Sequence, residues 1–330
     1  MNKKKLVVLI AVSYGVGVLV LNYLFGFMAF EYQRGSSQAR ELASAIIFPL
    51  LTSLSLVGIV FSLQVSIGNL APLIAYRKPK NHEQIETLLS GIFFKNYLRK
   101  LPYVVLMTLF AVYVYWQSLQ NSHLYSVQAK QYLLVTQAIP LWFCMFSFIL
   151  SVMIVMRIMA KHVSKSLRVR LFEIERMQPF GNVILVNFFI TSVLLSVYQI
   201  QLFFGPLLLA EIILTALFML TAVTLFIWTI YVMRLKLHGS REVMLDRINE
   251  SLNIQLSKAP ETLSARRLVD DKLRVQFISD LLMVRKEIGQ INLIPIDLPL
   301  TYKLVLLMLL PFVSWVGAAL VSQTLQSVVS

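Results

Sequence analysis

Long runs of apolar residues recur along this chain, and they constrain its fold more than any other feature. Each run approaches or exceeds the roughly 20 residues that an α-helix needs to cross a bilayer. With 58% hydrophobic and 14% charged residues, the chain of 330 residues is too apolar for a soluble domain. Ten-residue segments of alternating hydrophobicity, the pattern of a membrane barrel, are not visible. The sequence therefore predicts an all-α, polytopic helical integral membrane protein.

The apolar runs predict about seven transmembrane helices, over residues 6–30, 43–70, 101–118, 133–156, 183–203, 207–233 and 302–325. Three parts follow from their positions. Residues 1–233 form a bundle of six spans, residues 234–301 a cytoplasmic helical module, and residues 302–330 a C-terminal transmembrane helix.

The distribution of Lys and Arg predicts the orientation of the chain, because basic loops resist translocation across a membrane. Of the 30 Lys and Arg residues, 27 lie in four segments, 3–5, 77–100, 157–182 and 234–303, which alternate with the predicted outer loops. The sequence therefore predicts a multi-pass protein of the inner (plasma) membrane. Its N-terminus is expected in the cytoplasm and its C-terminus outside.

The predicted cytoplasmic segments carry apolar residues at helical spacing. The loops 77–100 and 157–182 are expected to form basic amphipathic helices. The module is expected to form a helical hairpin from residues of about 240–256 and 260–288. The second helix has a stripe that needs a partner, and its candidate interaction face is Val269, Leu273, Phe277 and Leu281.

A polar ribbon runs along the second span. Its members are spaced by three or four residues and so share one helical face: Ser55, Gly58, Ser62, Ser66 and Asn69. One interpretation is a packing seam, since small residues let two helices approach closely. The other is a pore lining, in which hydroxyl and amide groups face water. Asn187 and Thr191 on the fifth span could meet this ribbon inside one bundle.

The residues that enzymes and metal sites require are not grouped in this sequence. The four His residues are scattered, so no metal-ligand spacing exists, and no Ser or Cys nucleophile has a nearby base. Glu211 lies near the start of its span, where a helix dipole tolerates an anion. A non-enzymatic protein without a cofactor is predicted.

The net charge of +14 is concentrated on the predicted cytoplasmic face, where it favours contact with anionic lipid headgroups, and nucleic acid is not expected as a partner. The favoured function is a self-associating membrane channel protein, a homo-oligomer that forms or gates a weakly selective conducting path. The alternative is a membrane scaffold or anchor whose basic cytoplasmic helices recruit a soluble protein partner.

Overall fold

The computed structural model describes residues 3–28, 37–75, 82–122, 129–166, 178–201, 209–257 and 272–290. These residues form helices and one short turn, so the predicted all-α class is confirmed for the described part of the chain. The predicted span 302–325 lies outside the described residues.

Seven helices occur among the described residues: α1 (Lys3–Leu24), α2 (Ser37–Ala75), α3 (His82–Ser122), α4 (Ala129–Ser166), α5 (Gln178–Gln201), α6 (Leu209–Ser257) and α7 (Lys272–Gln290). Helices α1 to α6 are long and apolar enough to cross a membrane, and each overlaps one of the first six predicted spans. Helix α1 ends at Leu24, before the predicted end of its span at residue 30.

Several helices continue well beyond the spans that hydropathy predicts. The basic segment before the third span is not a separate helix, because α3 runs without interruption for 41 residues through Pro102. Likewise, α6 has 49 residues and passes the predicted boundary at residue 233. Gly239 is the only helix breaker near that boundary, and a single Gly costs only about 1 kcal/mol in a helix. The bundle and the first helix of the module are therefore one rod.

Helices α2 and α4 form the centre of the bundle. Helix α2 packs on α1, α3, α4 and α5, and α4 also packs on α3 and α6. Large side chains fill the space between them, among them Phe48, Leu51, Phe148, Met156 and Phe180. On the opposite side of α2, the Ser53 hydroxyl donates to the Ala11 carbonyl of α1 at 2.7 Å.

Helix α7 packs antiparallel on the last part of α6. Ile288 is buried against Ile248 and Leu252, and the guanidinium of Arg241 donates to the Gly289 carbonyl. The described part of the module therefore has the hairpin arrangement that the sequence led us to expect. The described part of its second helix begins at Lys272, so the predicted start near residue 260 lies outside the described residues.

Candidate functional site

The polar ribbon of α2 lies inside the bundle. Ser55, Ser62 and Ser66 have no exposed surface, and Gly58 is buried as well. Asn69 differs, since it is only half-buried and its amide donates to the Val65 carbonyl of its own helix at 2.8 Å. Four of the five ribbon residues therefore face other helices of the same chain.

Asn187 of α5 is the partner of the C-terminal half of the ribbon, Ser62 and Ser66. Its side-chain carbonyl accepts a hydrogen bond from the Ser62 hydroxyl. Its amide donates to the Val183 carbonyl at 2.7 Å and lies 3.4 Å from the Ser66 hydroxyl. The expected meeting of polar groups from the second and fifth spans is thus observed at Asn187. Hydrogen-bonding groups that would be costly to bury alone satisfy one another here.

The other half of the ribbon contacts α4 and α5 through small side chains. The Ser55 hydroxyl lies 3.2 Å from the Met145 sulfur of α4. At Gly58 the backbone comes so close to α5 that a Cβ would lie 2.9 Å from Cγ2 of Ile190 and 3.5 Å from the Phe148 ring. This close approach is the arrangement expected of a packing seam.

Replacement of Gly58 by Ala is expected to destabilise the protein relative to Gly68→Ala. Both changes exchange Gly for the best helix former, which favours the helix by about 1 kcal/mol at either site. A Cβ at residue 68 would meet no atom within 4 Å, whereas a Cβ at residue 58 would meet Ile190, so overpacking of about 1–3 kcal/mol is added only at residue 58. Reversible unfolding of the two purified variants measures the difference. Equal stability would contradict a tight seam.

A second buried polar group joins α1, α2 and α4. Asn22 and Gln137 form a reciprocal pair, in which each amide donates to the other side-chain oxygen at 3.0 and 2.6 Å. The Asn22 amide also donates to the Ala45 carbonyl at 2.6 Å. That carbonyl lies four residues before Pro49, which has no N–H to donate to it. Asn22 therefore replaces a hydrogen bond that the helix itself lacks.

This three-helix group is absent from the sequence predictions. Asn22 and Gln137 are single amides in apolar spans, and neither belongs to a polar stripe. The sequence did contain one usable signal, an Asn in the first span and an internal Pro in the second. The Pro leaves a backbone carbonyl without its donor, and the Asn amide needs an acceptor.

The comparison with known proteins adds no relative. No family model, curated protein or solved structure matches the chain.

The residues of the predicted cytoplasmic interaction face have different environments in the structure. Leu281 packs towards α6, together with Ile278 and Val284, whereas Phe277 is 46% exposed. Val269 and the side chain of Leu273 lie outside the described residues. The sequence predicted that Phe277 would pack in this stripe, but Ile278 occupies that position. The face of α7 that contacts α6 is therefore rotated slightly from the predicted one.

The outer surface of the α6–α7 hairpin carries large apolar side chains. We call these eight exposed residues the hairpin patch: Val243, Met244, Ile254, Leu256, Val275, Phe277, Leu282 and Met283. Around them α6 is strongly charged, with residues such as Arg234, Glu242, Asp246 and Arg247 that a lipid-facing segment would not carry. Exposed apolar side chains on a charged segment are a feature that interaction surfaces often share.

Proposed function

We propose that this chain is a non-enzymatic multi-pass membrane protein that anchors a cytoplasmic helical hairpin, and that the hairpin patch recruits a soluble protein partner. The observation that carries the proposal is the exposed patch at the end of α6, a helix that continues from the bundle without a break. A rigid connection of this kind holds a docking surface at a fixed distance from the bilayer. The proposed orientation follows the distribution of basic residues, with the hairpin in the cytoplasm.

Site-specific photocrosslinking in intact membranes tests the recruitment. A photoreactive amino acid at residue 275, which shares a helical face with Leu282, is expected to give an adduct heavier than the chain of 37.7 kDa. The same group at Glu83, an exposed polar position of α3 outside the hairpin, is the control and is expected to give none. An adduct of twice the chain mass would indicate self-association instead of recruitment. No adduct at residue 275 would contradict the proposal.

The double substitution Leu282→Asp and Met283→Asp is expected to remove the adduct without harming the fold. Both side chains are exposed and neither belongs to the apolar contact between α7 and α6, so the hairpin should still form. Surface changes of this kind usually alter stability by no more than about 0.5 kcal/mol. Size-exclusion chromatography and the crosslinking yield measure the two effects. A variant that keeps the adduct would show that the patch is not the docking surface.

A conducting path remains the second candidate, and one observation favours it. Beside the Asn187 group, α4, α5 and α6 enclose a cavity of about 20 Å³ whose polar lining is Thr191 and Thr221. This volume accommodates one water molecule. A path of this kind would run inside one protomer, along the C-terminal half of the ribbon. Ion flux through the purified protein in liposomes tests it, and the flux should fall in Ser62→Leu.

A further inference from the structure

A second cavity, of about 360 Å³, lies between α3, α4 and α6 and is larger and more open to the outside of the bundle. Helices α3 and α6 both pack on α4, and the cavity separates them on that side. Its volume falls in the range of about 300–1,000 Å³ that is typical of ligand sites. The lining residues that the structure describes are apolar except for Lys100, Tyr103 and Thr221.

Among the described residues that line this cavity, Lys100 is the only charged one. It lies alongside a stretch of α4, residues 131–156, that contains no charged side chain. The neighbouring turn of α3 is fixed there by a hydrogen bond of 2.9 Å from the Tyr97 hydroxyl to Ser147. Among the described residues, no carboxylate lies within 4.0 Å of the Lys100 ammonium. A cation at this level of a bilayer is costly without an anion.

The cavity has one polar end and one apolar end. Lys100 and Met153 lie towards the cytoplasmic end, since Met153 is one helical turn from Arg157, the first charged residue of that part of α4. Met107, Phe146 and Phe218 line the opposite end. Side chains on a helix lean towards its N-terminus, so the Lys100 ammonium is directed to the cytoplasmic side. This polarity matches a molecule with an anionic head and a hydrocarbon chain.

We propose that this cavity binds one anionic phospholipid from the cytoplasmic leaflet, with an acyl chain between α3 and α6 and the phosphate on Lys100. The inference rests on the proposed membrane insertion and orientation. The C-terminal span is the other available occupant, but residues 302–325 contain no Asp or Glu to neutralise Lys100. A lipid phosphate supplies that charge, and basic pockets between transmembrane helices on the cytoplasmic side bind such headgroups.

Native mass spectrometry of the purified full chain tests the site with two lipids, phosphatidylglycerol and phosphatidylcholine. We expect phosphatidylglycerol to be retained selectively and Lys100→Ala to lower its affinity about fivefold. Lys95→Ala is the matched control, because Lys95 is exposed on the same helix and does not line the cavity. Equal retention of the two lipids, or equal affinities of the two variants, would overturn the proposal.

Two further measurements separate the acyl chain from the charge. Met107→Trp fills the apolar end and leaves Lys100 in place, so it is expected to weaken binding of phosphatidylglycerol. Glycerol phosphate, which has no acyl chain, is expected not to displace the lipid, and efficient displacement would show a simple anion site instead. A monodisperse wild-type protein that retains no lipid would mean that another segment closes the cavity, and would also overturn the proposal. The crosslinked adduct of the hairpin should be unchanged in Lys100→Ala. Failure of the lipid proposal can therefore be distinguished from failure of the proposed partner recruitment.

Discussion

Ser62→Asp is expected to abolish accumulation of folded protein. Ser62 has no exposed surface, and its hydroxyl donates to Asn187. An ionised carboxylate buried there without a partner has a large desolvation penalty, and neutralising it by protonation at pH 7 still costs about 4 kcal/mol. The whole net stability of a folded protein is only about 5–15 kcal/mol. The yield of monodisperse protein after purification from membranes measures the effect.

The variant Ser62→Asn is the matched control, because Asn has the size and shape of Asp without the charge. It overpacks the seam, at about 1–3 kcal/mol, but leaves no charge buried, so a folded fraction should survive. Ser62→Ala removes only one neutral hydrogen bond and should be tolerated better still. If Ser62→Asp accumulates as well as Ser62→Asn, the ribbon faces water. That outcome would favour the conducting path over the dry seam.

The spans were predictable because hydropathy depends only on local composition. The ends of the helices were not predictable, because a weak stop signal does not end a helix when the residues on both sides of it favour helix. In α3, Lys95, Arg99 and Lys100 are good helix formers, and the helix passes through them and Pro102 into the apolar part. Hydropathy placed a boundary between Lys100 and Leu101, where the backbone has none.

The shared face of the polar ribbon was also predictable, because the spacing of Ser55, Ser62 and Ser66 puts them on one side of a helix wherever that helix begins or ends. What lies opposite that face was not, since periodicity on one helix does not specify its neighbour. Asn187 was anticipated as a partner because it belongs to a second polar stripe. Asn22 and Gln137 were missed because each is a single amide, and their pairing depends on how three helices pack.

Asn22→Leu is expected to lower the free energy of unfolding substantially. The substitution leaves the Ala45 carbonyl and both polar atoms of Gln137 buried without their partner. A buried group left unsatisfied costs about 1–3 kcal/mol. Most side chains of α1 are exposed, and its other polar contacts to α2 among the described residues are few: the Ser53 hydroxyl donates to the Ala11 carbonyl, and Tyr14 shares a hydrogen bond with Thr52. Denaturant unfolding of the purified protein measures the loss.

Pro49→Ala is expected to reduce that loss. Alanine restores an N–H at residue 49, which can donate to the Ala45 carbonyl as in a regular helix. With that carbonyl satisfied, Asn22→Leu removes one interaction fewer. The two changes should therefore be non-additive, with a coupling free energy of about 0.5–3 kcal/mol, as is usual for residues that share a partner. Wild type, both single variants and the double variant complete the thermodynamic cycle.

The control cycle pairs Asn22→Leu with Pro102→Ala on α3. Pro102 also lies inside a helix and also lacks an N–H, but the carbonyl four residues before it is that of Leu98, which Asn22 does not contact. These two changes should be additive within about 0.5 kcal/mol. If the Pro49 cycle is additive as well, the short distance between Asn22 and Ala45 has no energetic consequence. A coupling confined to Pro49 would instead show that Asn22 holds α1 on the bundle by replacing the missing backbone donor of α2. The loss of unfolding free energy that remains when Asn22→Leu is made in the Pro49→Ala background would then be due to the lost contact with Gln137.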